Sequence, residues 1–414
     1  MVGVTIPVVL ELPDVLVIGV EPCSDGTYRI AVQSTAEASF CDRCGRRCSP
    51  HGHDEEIQLR HLAILGKPCI LELRPRRFIC LNCAGTPTST ERLIWHQQRS
   101  PHTRAYDEYL VRSVLHSTVA DTVRKEGLGE GAVLGALRRV LPQHVNWTRF
   151  SSLDTLGIDE IALRKGHASF VTLVTCKTAD GQVHLLGVLD GREKSTVLAF
   201  FASIPEALRH TVQHVCSDLY EGYLQAAREA FPWSKVTADR FHVSKLFRAG
   251  VDTVRKQEMP RLKKELSDEQ YKELRGTYWS LRKPPEALTP EEAKGLKKLF
   301  DYSPALHTAY QLAASLTDIF DCDLDKEIAI VLLRQWQQAA RDASVRSFDR
   351  FVNTLDKHMD EIANYFVAFK NSGFVEGINN KVKTLKRRCY GLFRLDHLFQ
   401  RIFLDLEGYA FLGV

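Results

Sequence analysis

The spacing of apolar and polar positions divides the 414-residue chain into successive regimes. The first hundred residues carry short β-like runs, among them Cys69-Ile70-Leu71-Glu72-Leu73 and Arg77-Phe78-Ile79-Cys80, and predict a small strand-rich segment. Met1 to Val20 reads as one or two strands. It lacks a positive start and is interrupted by Glu11, Pro13 and Asp14, so it does not read as a signal peptide. From His102 to about Pro142 the period lengthens to that of a helix. Tyr109, Leu110, Val114 and Leu115 fall in one segment, and Val133, Leu134, Leu137 and Val140 in another. Gly127-Leu128-Gly129 separates Asp121 to Lys125 from that last segment, and two short helices around such a break predict a helix-turn-helix.

After Trp147 the pattern alternates between strand and helix. A strand around Ile158-Asp159-Glu160 is followed by Ser169 to Cys176 and Gln182 to Leu189, which flank the turn signal Ala179-Asp180-Gly181 of an antiparallel hairpin. A helix over Ser195 to Leu208, a strand from His210 to Ser217 ending at Asp218, a helix over Tyr220 to Ala230 and a strand from Lys235 to Ala238 ending at Asp239 complete the series. Three antiparallel strands, then helix, strand, helix and strand, are the order of an RNase H-like sheet. Between Val243 and Asn371 no strand-like run stands out. Thr289-Pro290-Glu291-Glu292 and Ser303-Pro304 mark helix starts, and Leu306, Tyr310, Ala313, Leu316 and Phe320 recur at helical spacing, so an all-helical insertion is expected. In the last helix Val375, Ile378, Val382, Leu385 and Cys389 form an apolar stripe, while Glu376, Asn380, Lys383 and Arg387 share another face.

Composition narrows the class of protein. With 44% hydrophobic and 26% charged residues the chain reads as globular rather than disordered. No stretch approaches the roughly 18 apolar residues of a membrane span, so a cytoplasmic protein is expected. The net charge of +4 is small, so affinity for nucleic acid has to be local. From Cys41 to Arg104 there are eleven Lys and Arg against six Asp and Glu, with five His besides.

Candidate chemistry follows from these patterns. Cys41-x-x-Cys44 and Cys80-x-x-Cys83, in a chain without an export signal, suit a tetrahedral zinc site. Cys48, His51 and His53 are rival ligands, and reduced cysteines without metal are the plain alternative. Arg43, Arg46, Arg47, Arg74, Arg76 and Arg77 surround this site with guanidinium groups that match phosphate oxygens, or with a merely solvated basic face. Asp159, on the first strand, Asp218, at the end of the fourth, and Glu376, on the late helix, are carboxylates of the kind that hold magnesium or manganese for phosphodiester chemistry. A strand-end Asp is also an ordinary turn residue. Asp239 and His242, three residues apart, can face one site, although a helix cap and a core histidine are the readier explanations. Tyr278 and Trp279 suit stacking on a flipped base, with a core role the readier expectation.

Several of these blocks together resemble a known family. Gly157-Ile158-Asp159-Glu160 with Arg164-Lys165-Gly166-His167, Ser217-Asp218-Leu219-Tyr220-Glu221-Gly222-Tyr223, Ala238-Asp239-Arg240-Phe241-His242, and Gly373-Phe374-Val375-Glu376-Gly377-Ile378-Asn379-Asn380-Lys381 with Lys386-Arg387-Arg388-Cys389-Tyr390-Gly391 resemble the DDE transposases of bacterial insertion sequences in the ISL-three group. The likeness spans nearly the whole chain. One departure is Asp42, where the family's finger frequently has Pro after the first Cys.

The resemblance implies a metal-dependent DNA transposase of multidomain α+β class. Its expected parts are a zinc-finger DNA-binding domain (1–100), a helix-turn-helix DNA-binding domain (101–148), the first part of an RNase H-like catalytic core (149–242), an all-helical insertion (243–371) and final helices with Glu376 (372–414). It implies catalysis and binding of magnesium or manganese by Asp159, Asp218 and Glu376, support from Asp239 and His242 as a D-x-x-H element, and structural zinc on Cys41, Cys44, Cys80 and Cys83. Phosphate contacts are expected from Arg46, Arg47, Arg76, Arg77, Arg164, Lys165, Lys381, Lys383, Lys386, Arg387, Arg388 and Arg394. The partners would be transposon-end and target DNA, with a homodimer or larger assembly to join two ends, in the bacterial cytoplasm at the nucleoid. A nuclease of the same fold that only hydrolyses and a catalytically silent DNA-binding regulator are the rival readings.

Overall fold

A computed structural model describes residues 10, 12–162, 170–367, 373–389 and 394–413. The chain divides into two compact units, residues 1–143 with 407–414, and residues 144–406. Arg164 and Lys165 lie outside the described residues.

In the first unit eight strands alternate side chains between solvent and two small cores: β1 (Val15–Pro22), β2 (Tyr28–Ser34), β3 (Ser39–Phe40), β4 (Arg47–His53), β5 (Ile57–Ile64), β6 (Lys67–Leu73), β7 (Arg76–Ile79) and β8 (Thr88–Thr90). One sheet has the order β1-β2-β6-β5 and buries Ile30, Val32, Leu59, Leu71 and Leu73 at period two, under Leu93 and Trp95. The other, β3-β4-β7-β8, delivers Cys41 just after β3 and Cys80 just after β7. Three helices follow: α1 (Arg104–Val114), α2 (Val119–Glu126) and α3 (Glu130–Val140). Thr103 and Thr118 cap the first two through their hydroxyls, and α2 ends on Gly127 at φ 64°, a left-handed cap that a side chain would strain.

A buried ion cluster that sequence periodicity does not reveal ties α1 to α3. Asp107, 2% exposed, accepts bonds from His102 Nδ1 at 2.8 Å and from Arg139 Nε and Nη2 at 2.5 and 2.7 Å. Burial alone would push the Asp107 carboxyl up, but the Arg139 and His102 bonds outweigh it and hold it below the usual range. Its contribution to stability is therefore complete above the unfolded carboxylate value and fades as pH falls through the lower folded one. Asp107→Asn strips the partner from a largely buried guanidinium, and urea unfolding at pH 7 should show a loss of about 3 kcal/mol. Unchanged unfolding would mean that the cluster carries no stability.

The second unit is built on β9 (Thr155–Ala162), β10 (Phe170–Lys177), β11 (Val183–Asp190), β12 (His214–Ser217) and β13 (Lys235–Ala238), in the order β11-β10-β9-β12-β13. The first three strands are antiparallel, and β12 runs parallel to both β9 and β13. Helices α4 (Lys194–Ser203) and α6 (Glu221–Ala230), with the short α5 (Glu206–Arg209) between, precede β12 and β13. Val197, Phe201, Tyr223 and Leu224 pack on the face that presents Leu156, Ile158, Val174 and Val215. The helix expected over Ser195 to Leu208 breaks at Ile204-Pro205, because proline cannot donate into a continuing helix. The strand expected from His210 begins only at His214, after a turn.

The expected helical region is α7 (Arg240–Glu265), α8 (Asp268–Glu273), α9 (Thr277–Ser280), α10 (Pro290–Tyr302), α11 (Pro304–Asp321), α12 (Lys326–Asp342) and α13 (Asp349–Ala363). Thr289 and Glu292 form a reciprocal capping box ahead of α10, and Ser303 caps α11. Phe247, Leu316, Phe320, Leu333, Trp336, Phe348 and Phe351 share one core. The chain then returns to the sheet as α14 (Gly373–Arg388) and ends in α15 (Leu395–Leu412). No described helix is long and apolar enough to cross a membrane.

Candidate functional site

Strand register gathers the acidic residues. Ser217 pairs with Ile158 on one side and Ala238 on the other, so Asp159, within β9, comes level with Asp218 and Asp239, the residues that follow the ends of β12 and β13. One ligand atom each from Asp159, Asp218 and His242 lies within 4.8 Å of the others. Asp159 accepts from the Glu160 N–H at 2.7 Å, and Asp218 from the Tyr220 N–H at 3.0 Å. Asp239 caps α7 through the Phe241 N–H at 2.8 Å, and its other oxygen lies 2.9 Å from His242 Nδ1. With the Nδ1 proton donated to that carboxylate, Nε2 is left as the free donor atom of the ring.

Electrostatics make this cluster a cation site in search of charge. Burial pushes the Asp159 carboxyl up and raises Asp218 to about 6, with the neighbouring Asp159 charge adding to the latter. The hydrogen bond that His242 donates to the Asp239 carboxylate raises His242. Two carboxylates and an imidazole are hard and borderline donors, a set that fits a divalent ion.

α14 reaches the cluster from the opposite sheet face to α4 and α6, across Gly157. A Cβ at Gly157 would overlap Val375 Cγ2 and stand 2.8 Å from Thr175 Oγ1, so glycine is what lets the helix settle there. Asn379 then donates its amide to Asp159 Oδ2, and its own buried Oδ1 has no hydrogen-bond partner among the described residues. Glu376 stands one turn before Asn379, half-buried, and is not among the three groups that converge within 4.8 Å. Sequence reasoning missed Asn379, although its spacing of three from Glu376 puts both on one face. Glu160 is engaged elsewhere, 3.0 Å from Arg192, whose guanidinium lies over Phe170 and Tyr220.

The basic residues of α14 divide by role. Lys381 bonds the Asp405 carbonyl and Arg388 the Asp405 carboxylate at 2.8 Å, fastening α14 to α15, and Lys386 bonds the Ala162 carbonyl. Lys383 and Arg387 are exposed, and Arg394 pairs with Asp396 at 3.0 Å. In the first unit Arg47 is exposed, Arg46 bonds Asn82, Arg76 bonds the Ala36 carbonyl, and Arg77 lies near Asp54 and Thr88.

A second cluster with the spacing of metal ligands lies in that first unit. Cys41, Cys44, Cys80 and Cys83 place their sulfurs within 4.8 Å of one another, with Cys41 to Cys83 at 3.9 Å and Cys44 to Cys80 at 3.7 Å. Sulfurs bound ~2.3 Å from a tetrahedral zinc stand ~3.8 Å apart, so the four fit that ion. The N–H groups of Cys44 and Arg43 pull the Cys41 thiol down to about 6, favouring the thiolate a metal needs. Of the rival ligands, Cys48 is buried outside the quartet, facing the Arg46 carbonyl, and His51 and His53 are exposed on β4.

Comparison with known proteins finds relatives for both regions of the chain. A family model described as "Transposase", for DDE enzymes of the ISL3 group, matches residues 156–402. A second, described as the zinc-finger of transposases of IS204, IS1001, IS1096 and IS1165, matches residues 37–83. The transposase of insertion sequence element IS1001 from Bordetella parapertussis is 26% identical over 385 residues, covering 93% of either chain. That of IS1557 from Mycobacterium tuberculosis is 23% identical, covering 89% of this chain and 86% of its own. The solved Drosophila P element transposase strand transfer complex aligns with 76% of this chain and 94% of that one at 14% identity and a TM-score of 0.42, too slight a likeness to bear on the fold. With the catalytic family model spanning more than half of its length and the matching zinc finger ahead of it, the chain belongs to the ISL3 family of DDE transposases, enzymes that bind, cleave and join DNA.

Proposed function

We propose that this transposase recognises the terminal inverted repeats of its own insertion sequence and moves that element through an RNase H-like catalytic domain. The observation that carries the reading is the convergence of Asp159, Asp218 and His242 across three adjacent strands, with α14 bringing Asn379 onto Asp159 and Glu376 one turn before it. Asp159, Asp218 and Glu376 would hold divalent magnesium or manganese. Such ions, when bound, supply charge that polarises a phosphodiester and stabilises its leaving oxygen. The chain's part is to position and support. Asp239 fixes the His242 ring through Nδ1, and Asn379 orients Asp159. Water first hydrolyses a phosphodiester at the element end, and the freed 3′ hydroxyl then displaces a target phosphodiester, so one bond is exchanged for another. The zinc finger and the α2–α3 pair, read as a helix-turn-helix, would choose the DNA, with Arg46, Arg47, Arg76, Arg77, Arg164, Lys165, Lys383, Lys386 and Arg387 on phosphates. Lys381 and Arg388 would act indirectly, by holding α14. Bringing two ends together requires a homodimer or larger assembly, working at the nucleoid of the bacterial cytoplasm.

The test uses a labelled fragment with the repeats that flank the coding sequence, in magnesium. The intact protein should cut and join it. Glu376→Gln should bind the fragment equally and lose roughly 10³-fold in rate, the scale on which electrostatic stabilisation of developing charge acts. Full activity in the variant would remove Glu376 from the site. Cleavage without joining in the intact protein would favour the nuclease, and binding without cleavage the silent regulator.

A further inference from the structure

The N–H groups that hold the two cluster aspartates belong to Glu160, for Asp159, and to Tyr220, for Asp218. One side chain grips both of these residues. Arg192, between β11 and α4, donates from Nη1 to the Glu160 carboxylate at 3.0 Å, and its guanidinium lies 4.9 Å from the Tyr220 ring centroid and 5.0 Å from that of Phe170. Glu160 belongs to β9 and Tyr220 immediately precedes α6, so Arg192 bridges the two segments that carry Asp159 and Asp218.

Both ends of this bridge rest on one buried pair. The Gly191 N–H bonds the Phe170 carbonyl at 3.2 Å, and the Gly191 carbonyl accepts from Thr172 Oγ1 at 2.7 Å. With that hydroxyl proton committed, the Tyr223 hydroxyl, 2.7 Å from Thr172 Oγ1, is the donor between them. Thr172 and Tyr223 are fully buried, and Tyr223 stands edge-on to Tyr220 with centroids 5.0 Å apart. The Tyr220 ring itself folds back over the bare backbone of Gly222, where a Cβ would stand 2.6 Å from Cε1.

Charge alone does not account for the arrangement. The Arg192 side chain is 40% exposed and that of Glu160 26%, so their ion pair is screened and contributes little by itself. Lysine would serve such a pair as well. A guanidinium differs in that it lies flat on a ring while its edge donates to a carboxylate. That geometry suits the holding of a distance, and a pair of carboxylates binds a cation more tightly when the gap between them is set before the ion arrives.

We propose that Arg192 is a positioning residue, a clasp between Glu160 and Tyr220 that fixes the gap between Asp159 and Asp218 and so sets the affinity of the site for a divalent cation. The inference rests on the reading of those aspartates as cation ligands and deepens it. The test is binding of Mn²⁺ to the full-length protein without DNA, followed by loss of the paramagnetic resonance of the free ion. Arg192→Lys and Tyr220→Ala conserve the charge around the cluster, whereas Arg192→Ala would remove a positive charge and draw a cation in on that account alone. Each charge-conserving variant should weaken Mn²⁺ binding about 10-fold. Combining them should weaken it no further, because both open one clasp. Tyr220→Phe keeps the ring and should keep the affinity. Cleavage should need more Mn²⁺ for half its maximal rate in Arg192→Lys and approach the intact rate at saturation, while affinity for terminal-repeat DNA in chelator stays as it was. Arg192→Lys, at a half-exposed position, decides the matter if Tyr220→Ala melts early. Unchanged Mn²⁺ affinity in Arg192→Lys overturns the proposal. So do losses that multiply in the double variant, and so does weaker DNA binding in chelator with cation affinity intact, which would make Arg192 a phosphate contact. Asp218→Asn separates the two levels of the argument. Mn²⁺ binding that this variant abolishes but Arg192→Lys leaves alone overturns the clasp only, and binding that neither disturbs overturns the cation site as well.

Discussion

Asp218→Asn is expected to abolish cleavage and joining, by on the order of 10³-fold or more, while making the metal-free protein more stable. Both effects have one cause. Burial raises the Asp218 carboxyl to about 6, so the folded state resists carrying that charge. A folded value above the unfolded one gives a contribution that is complete below about pH 4 and lost as pH rises through about 6. At pH 7, in chelator, the charge therefore costs roughly 3 kcal/mol, which asparagine removes without changing shape. Thermal melts in chelator at pH 5 and pH 7 check it: the variant should melt a few degrees higher at pH 7, and the gap should shrink at pH 5. The same exchange at Asp107 has the opposite sign, since Arg139 and His102 neutralise that carboxylate. A buried acid held for structure is stabilising, and one held for chemistry is strained until a cation arrives. An Asp218→Asn protein that cleaves at the normal rate, or that melts lower in chelator, would remove Asp218 from this role.

The element order was legible because the hydrophobic period switches cleanly between two and 3.6, and because helix starts such as Thr289-Pro290 and Ser303-Pro304 are local chemistry. Asp159, on the first strand of the sheet, and Asp218, at the end of the fourth, could be placed on neighbouring strands for the same reason. What the sequence hides is contact between distant segments. Asn379 meets Asp159 across 220 residues, and only the bare backbone at Gly157 lets α14 approach closely enough. Lys381 and Arg388 looked like phosphate contacts because their partner, Asp405, belongs to another helix. Seven residues apart, they share a side of α14 and bind it together. Trp279 was expected inside, as aromatics in helical regions usually are, yet it sits on a single-turn helix whose buried positions are Thr277 and Ser280. Periodicity says little over four residues.

Removing zinc from the N-terminal cluster should have the largest effect on stability, and only locally. The sheet β3-β4-β7-β8 buries little beyond Cys41, Cys48, Phe78 and Cys80, too small a core to hold four short strands. A structural zinc contributes on the order of 10 kcal/mol to such a fold, more than any side-chain contact in the unit. Hydrogen exchange after chelation should therefore show protection lost across residues 39–90, and affinity for terminal-repeat DNA should fall with it. Cys80→Ser should reproduce the loss in the presence of zinc and bring bound zinc from one per chain to none. Cys48→Ser is the discriminating control. Its thiol is as buried as those of Cys41 and Cys80 but faces the Arg46 carbonyl, so zinc content should stay at one and protection should persist. Zinc retained by Cys80→Ser, or lost from Cys48→Ser, would mean that the four thiols brought together here are not the ligand set. Protection that survives full removal of the metal would mean that the sheet is held by contacts other than these.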